Sequence, residues 1–268
     1  MSLKAKKSLG QNFLRDKEIL NDIAESAPVA SGDLVLEVGP GEGDLTQVLL
    51  GKGAKVYGVE KDSRAIPLLK KKFQKEIEEG MYTLVEGDAL DTNPENFFKR
   101  EQSYRIVANI PYYITGLLIR HFLEAKRQPK SITLVVQKEV AERIAKSKKE
   151  SILSLSVKAY GEAHYVRTIQ AKFFDPAPKV DSAILHISNI SSRFFDRAPF
   201  TSEEFFALIK LGFSQKRKVL VKNLSSEYPK DLLKQIFEEL SLIETIRAEQ
   251  LSVDLWRKLL TELQKRTS

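Results

Sequence analysis

Cysteine is absent from all 268 residues, which excludes disulfides and thiolate metal sites and leaves a reducing compartment unproblematic. No uninterrupted apolar run approaches the roughly 20 residues that span a bilayer, and the basic stretch Met1 to Lys7 is followed by no apolar core of a secretory signal. The expectation is a soluble, cytoplasmic protein without membrane contact. Histidine is scarce, and His121, His164 and His186 form no ligand pattern, so no metal site is expected. Internal repeats and low-complexity tracts are also lacking. What remains is ordinary globular composition, 42% hydrophobic and 29% charged. A chain of this length buries one sizeable core and a smaller second one.

The net charge of +7 is unevenly distributed. Residues 1–17 carry Lys4, Lys6, Lys7, Arg15 and Lys17 against Asp16 alone, and residues 126–149 carry eight basic side chains against Glu139 and Glu142. Lys216, Arg217, Lys218 and Lys222 form a third cluster with no acid among them. One such cluster is usually a solvated face, but three together point to a polyanionic partner.

Asp33–Val38 is a short branched apolar run ending at a Gly-rich turn, the pattern of a buried strand. A helix over Asp44–Leu50 follows, then a strand over Lys55–Glu60 and a helix over Ser63–Glu79 entered through Asp62. Tyr82–Glu86, Tyr104–Ala108 and Ser131–Gln137 are further strands, and Tyr165–Gln170 with Ser182–Ile187 read as a closing antiparallel pair. Strands alternating with helices predict an α/β, Rossmann-like parallel sheet covered on both faces. Beyond residue 190 only helical spacing survives, over Ser202–Phe213, Arg217–Leu224, Asp231–Leu240 and Val253–Leu263. The polar stretch Asn189–Pro199 reads as a linker, so the expected division is residues 1–188 and a small helical domain over 189–268.

Glu37-Val-Gly39-Pro-Gly41-Glu-Gly43 follows the first strand and opens a helix, where glycines permit a tight turn and close backbone approach to a ligand. Glu60 ends the second strand, 21 residues after Gly39, where a carboxylate can accept both hydroxyls of a ribose. Asp88, after the third strand, falls where an adenine edge would lie. The G-x-G-x-G spacing departs from the G-x-G-x-x-G of dinucleotide sites and favours S-adenosylmethionine (SAM), with Glu37 within reach of the methionine amino group.

Asn109-Ile110-Pro111-Tyr112 follows the fourth strand at the same sheet edge. An exocyclic adenine nitrogen is a poor nucleophile because its lone pair is delocalised into the ring. An Asn oxygen and a neighbouring backbone carbonyl can accept its two N–H bonds, localising the lone pair and aiming it at a methyl donor. No strong base is required, since the nitrogen sheds a proton readily once it is cationic. Pro111 stiffens the turn, Tyr112 offers a stacking face, and Phe174 is a candidate for the opposite face, although a phenylalanine there is more often core. The pattern predicts methylation of adenine amino groups in RNA.

With these motifs assembled, the chain resembles the KsgA-type small-subunit (16S) rRNA adenine N6,N6-dimethyltransferase family. The likeness runs through Lys7–Leu14 (KSLGQNFL), Glu37–Gly41 with Gly43, Leu45 and Thr46, Glu86–Ala89, Asn109–Tyr112, Val136–Val140, Phe174–Ala183, and Phe213–Lys218 with Asn223 and Leu224. It implies a seven-stranded methyltransferase sheet with a reversed final strand, preceding a C-terminal helical domain that contacts rRNA or the subunit through a basic helix. It further implies that Gln11–Leu14 folds over SAM with Asn12 and Leu14 in contact. Gly39, Glu60, Asp88 and Asn109 would complete the cofactor site, while Asn109, Ile110, Pro111, Tyr112 and Phe174 would hold the target base. Family members dimethylate two adjacent adenines in the 3′-terminal hairpin of small-subunit rRNA on a nearly mature small ribosomal subunit, and a monomer is expected. One departure is Glu150-Ser151, where the family usually has Tyr-Gly near the substrate entrance. Two readings compete: an Erm-type large-subunit rRNA adenine methyltransferase, and a non-catalytic ribosome-assembly factor on the same scaffold.

Overall fold

The structure, a computed structural model, describes residues 3–99, 102–196 and 198–267. Met1 and Ser2 of the basic N-terminal stretch, Arg197 of the expected linker and Ser268 lie outside the described residues. No helix among the described residues is long and apolar enough to cross a membrane.

The elements in chain order are β1 (Phe13–Leu14), α1 (Lys17–Ser26), β2 (Leu34–Val38), α2 (Asp44–Gly51), β3 (Lys55–Glu60), α3 (Ala65–Lys72), α4 (Gln74–Glu78) and β4 (Tyr82–Glu86). They continue with β5 (Tyr104–Asn109), α5 (Thr115–Leu123), β6 (Ser131–Gln137), α6 (Lys138–Ala145), α7 (Ile152–Tyr160), β7 (Glu162–Ile169), β8 (Phe174–Asp175) and β9 (Ser182–Ser188). Four helices close the chain: α8 (Ser202–Gly212), α9 (Leu220–Leu224), α10 (Lys230–Glu239) and α11 (Val253–Thr267).

Seven strands form one sheet in the order β4-β3-β2-β5-β6-β9-β7. β2 to β6 are mutually parallel, and β9 inserts antiparallel between β6 and β7. The reversed strand expected from the resemblance is therefore present. The central strands are buried on both faces, as parallel sheets require: every residue of β2 is buried, and so are the first six of β6. Alternation along the strands sends Val35, Val56, Val107, Val135 and Ile184 into one cluster with Ile19 and Ile23 of α1, Leu45 and Leu49 of α2 and Leu69 of α3. The opposite-facing Leu36, Ile106 and Leu134 are fully buried as well. Strand order reverses between β2 and β5, so the chain leaves the sheet in opposite directions there and opens a crevice beyond the carboxyl ends.

The chain divides into two compact units, Met1–Ala145 with Glu162–Ile190, and Lys146–Gly161 with Ser191–Ser268. The sequence predicts an uninterrupted first domain over residues 1–188, whereas Lys146–Gly161 belongs to the helical unit. The reason is α7, which buries Leu155, Val157, Ala159 and Tyr160 together with Ser154 and Ser156. Tyr160 meets Phe195 and Phe206 with ring centroids 5.2 and 6.1 Å apart. The expected linker is accordingly no solvated tether: Phe194 and Phe195 pack on Phe205 at 5.2 and 5.7 Å.

Glu150-Ser151, the departure from the family pattern, has a local structural role. Ser151 caps α7 by accepting the Ser154 N–H, and the Glu150 carboxylate accepts from Lys158 Nζ at 2.5 Å and Ser154 Oγ at 2.7 Å. The helix predicted over Arg217–Leu224 shrinks to Leu220–Leu224, and Ser214–Lys218 is an exposed turn rather than a basic helix. Those residues have no apolar face to bury, and buried Asn223 ties the turn down by donating to the carbonyls of Gly212 and Gln215.

Gly212 borders the fully buried Trp256, and an added Cβ would fall 2.3 Å from its ring. We expect Gly212→Ala to destabilise the helical unit by about 2 kcal/mol. A urea titration followed by the fluorescence of Trp256, the sole tryptophan, reads this as a lowered midpoint.

Candidate active site

The loop after β2 carries Gly39, Gly41 and Gly43 at φ of 68°, 59° and 79°, the left-handed region that favours glycine. Two backbone bonds fix the loop, Gly39 N–H to the Val59 carbonyl at 2.9 Å and Gly43 N–H to the Pro40 carbonyl at 2.8 Å. Gly43 is doubly constrained, because a Cβ there would lie 2.4 Å from Phe73. Gly39, by contrast, borders open space, with nothing within 4 Å of an added Cβ, and it lines the cavity at the crevice.

Glu60, ending β3, joins two loops. One carboxylate oxygen accepts the Gly41 N–H at 2.8 Å and the other the Asp62 N–H at 2.7 Å. Burial raises its pKa against those bonds. Glu37, 1% exposed at the end of β2, accepts the Thr46 hydroxyl at 2.6 Å. Desolvation pushes its carboxyl up to about 8, with Glu60 adding repulsion. Asp88, after β4, accepts Leu90 N–H at 3.0 Å and pairs with Lys61 Nζ at 2.5 Å, and Lys61 holds its pKa below the ordinary value.

At the end of β5, the Asn109 side-chain nitrogen donates to the Asn12 carbonyl at 3.3 Å. Ile110 is buried at 3% and anchors the turn, while Tyr112 starts a 3-10 turn over Tyr112–Ile114 that leads into α5. Asn12 belongs to an N-terminal arm drawn across the crevice. Gln11 Nε2 donates to Asp62 at 2.9 Å, Arg64 bonds both Asp62 and the Lys4 carbonyl, and Arg15 bonds Glu42 at 2.9 Å. Arg64 is also the main cause that holds the Asp62 carboxyl far below the usual carboxylate range. The arm ends in β1, which pairs with β8 in the register Leu14 to Phe174.

Asn12, Leu14, Gly39, Glu60, Asp88, Asn109, Ile110, Pro111 and Tyr112 all line this cavity, as does Glu37. Phe174 is not among the lining residues: it is 5% exposed and lies in the core cluster beside Leu14, its register partner, which does line the cavity. The expected second stacking face is therefore not part of the cavity lining. The sequence does not signal the partners of Glu42, Lys61 and Asp62, which lie up to 56 residues away in the chain, as in the Lys6–Asp62 ion pair.

The charges of the lining decide what the cavity suits. Among the described residues, Glu37, Glu42, Asp44, Glu60 and Asp88 face it against Lys61 alone. A pyrophosphate would meet uncompensated carboxylates, which argues against a dinucleotide. A cationic ligand rich in ribose hydroxyl and amino donors meets acceptors throughout, and the buried pair Glu37 and Glu60 gains from a positive guest. The residues present fit SAM, and the fold and site define a SAM-dependent methyltransferase.

Comparison with known proteins gives the particular family. The family described as "Ribosomal RNA adenine dimethylase" matches residues 2–265. A curated "Ribosomal RNA small subunit methyltransferase A" from Fusobacterium nucleatum subsp. nucleatum is 41% identical over 264 residues, covering 97% of this chain and 98% of that protein. Among solved structures, a dimethyladenosine transferase from Plasmodium falciparum superposes with a TM-score of 0.78 at 29% identity, over 95% of this chain and 98% of that one. The 23S rRNA methyltransferase ErmE superposes with a TM-score of 0.73 at 25% identity, over 94% of this chain and 100% of that one. The chain belongs to the ribosomal RNA adenine dimethylase family. The fold is common to both comparison structures, so the separation from the Erm alternative rests on sequence.

The raised pKa of Glu37 has a consequence for stability. The folded chain holds this proton up to about pH 8, whereas the unfolded chain releases it near 4.5. That contribution is complete below the unfolded value and is lost as pH rises through the folded one. Glu37→Gln replaces the protonated acid with an uncharged isostere, so its melting temperature should exceed that of the wild type by several degrees at about pH 9 and by much less at about pH 5. Thermal melts of both proteins across that range check it, and a constant offset would contradict it.

Proposed function

We propose that this chain dimethylates N6 of two adjacent adenines in the 3′-terminal hairpin of small-subunit rRNA, as a cytoplasmic monomer acting on a nearly mature subunit. One observation carries the reading: the Asn109–Tyr112 turn stands at the carboxyl end of β5, on the wall of a cavity whose lining suits a cation. The name of the Fusobacterium relative supports the small subunit as substrate.

When bound, SAM supplies a methyl group carried on positively charged sulfur. Glu60 keeps lone pairs free to accept the ribose hydroxyls, and Asp88 accepts from the adenine edge in place of Lys61. Gly39 lets the backbone approach closely, and Asn12 and Leu14 cover the ligand from the arm. With its nitrogen engaged by Asn12, Asn109 has its oxygen left to accept an N–H of the target amine, and a backbone carbonyl of the same turn accepts the other. Pro111 limits the turn's freedom, and Tyr112 supplies a face for the base. Phe174 is the candidate for the second face, beside the lining residue Leu14 with which it pairs. The exposed Lys216, Arg217 and Lys218 suit contact with rRNA phosphates.

Asn109→Ala should lower methyl transfer by at least about a hundredfold while subunit binding persists, whereas Glu60→Ala should act mainly by weakening SAM binding. Tritiated-methyl transfer alongside a SAM titration separates the two, and failure of the wild type to bind SAM would favour the assembly-factor reading. The substrate is tested by offering isolated small subunits and large-subunit RNA in parallel. Methylation is expected on the former, at two neighbouring adenines in an RNA mass map, and activity confined to the latter would refute the proposal.

A further inference from the structure

The hydroxyl of Tyr112 has a partner outside the cavity. Tyr112 Oη and Ser182 Oγ are 2.6 Å apart, and Ser182 is fully buried and absent from the cavity wall. A phenol pointing into protein needs a hydrogen-bond partner, and burial raises the pKa of Tyr112, so it remains a neutral hydroxyl.

Ser182 is well placed to hold something still. It opens β9 and pairs across the sheet with Gln137 of β6 on one side and Ile169 of β7 on the other. The preceding Asp181 accepts the Lys138 N–H through its backbone carbonyl at 3.0 Å and the Ala171 N–H through Oδ1 at 3.0 Å. The serine backbone is thus held from three directions, and its side chain has one χ angle. Tyr112 is on a short 3-10 turn at the crevice rim, and the next residue, Tyr113, is 62% exposed. The hydroxyl pair holds the far end of a half-buried side chain that has two rotatable bonds.

We infer that Ser182 is a positioning residue for methyl transfer, fixing the plane of the Tyr112 ring through the hydroxyl pair and thereby the angle at which the target base presents its amino group. The inference rests on the proposed role of Tyr112 as a face for that base. Methyl transfer needs the nitrogen in line with the donor, so a small rotation of the stacked base costs rate even when base and cofactor stay bound. Ser182 touches neither base nor cofactor and acts through Tyr112. Its loss therefore appears in kcat, with SAM affinity unchanged.

The test is a double-mutant cycle on methyl transfer to isolated small subunits, with SAM Kd and melting temperature measured for each variant. Ser182→Ala and Tyr112→Phe remove the same hydrogen bond, so each should lower kcat about three- to tenfold, and the double variant should be no slower than the slower single one. Losses that multiply in the double variant, or wild-type kcat in a folded Ser182→Ala protein, overturn the inference. If Ser182→Ala does not fold, Tyr112→Phe decides alone, because it deletes one oxygen and no packing volume, and unchanged kcat overturns the inference. Tyr112→Ala separates the two levels. If it is inactive while the cycle is multiplicative, the base-site reading stands and the positioning role falls. If it turns over at the wild-type rate, both fall.

Discussion

Glu60 holds the crevice together by giving each carboxylate oxygen a different loop, Gly41 on one side and Asp62 on the other. The first bond shapes the Gly-rich turn between β2 and α2. The second shapes the start of the segment whose Asp62 carboxylate receives Gln11 and Arg64. A buried carboxylate is costly to desolvate unless hydrogen-bonded, so the site depends on these bonds for its own preorganisation. They also set where the remaining lone pairs of Glu60 face a ligand. The glycine loop and the segment that receives the arm are thus joined through one side chain at a strand end.

Charge is sorted by depth. The crevice gathers acids, and two of them, Glu37 and Glu60, are buried with raised pKa values that a cationic ligand offsets. Lys61 lines the crevice with them, whereas Lys216, Arg217 and Lys218 are exposed on a turn of the helical unit, and exposed Arg15 bridges Glu42 and Asp175 at the arm. Exposed pairs such as the latter contribute at most about 1 kcal/mol each, so the arm is held by several weak ties together with the burial of Leu14.

Much of the first unit was legible because a parallel sheet writes itself plainly. Buried strands are short, branched and continuous, and the turns after β2 and β5 carry Gly39–Gly43 and Asn109–Tyr112 in the places where chemistry gathers. The strand Ser131–Gln137 falls on the predicted residues. The helical unit was less legible. Asn189–Pro199 reads as polar, yet half-buried Phe194 and Phe195 pack on Phe205, because two aromatics in a polar run have no periodicity to betray them. α7 reads as part of the first domain because it lies between its strands in sequence, while its aromatic contacts are with residues beyond 190.

Taken alone, the sequence determined the order of strands and helices, the acids at successive strand ends, the Asn109–Tyr112 turn and, by resemblance, the family. These are local or nearly local properties, set by side-chain period and by residue types that a short turn requires. Only the tertiary structure decided that Phe174 is buried in a core cluster with Leu14, that Asp62 and Glu42 hold the arm, and that Ser182 stands behind Tyr112. Each of these depends on segments brought together across the sheet, 70 residues apart in the case of Tyr112 and Ser182. No periodicity within one segment encodes which face of a strand meets a residue arriving from another.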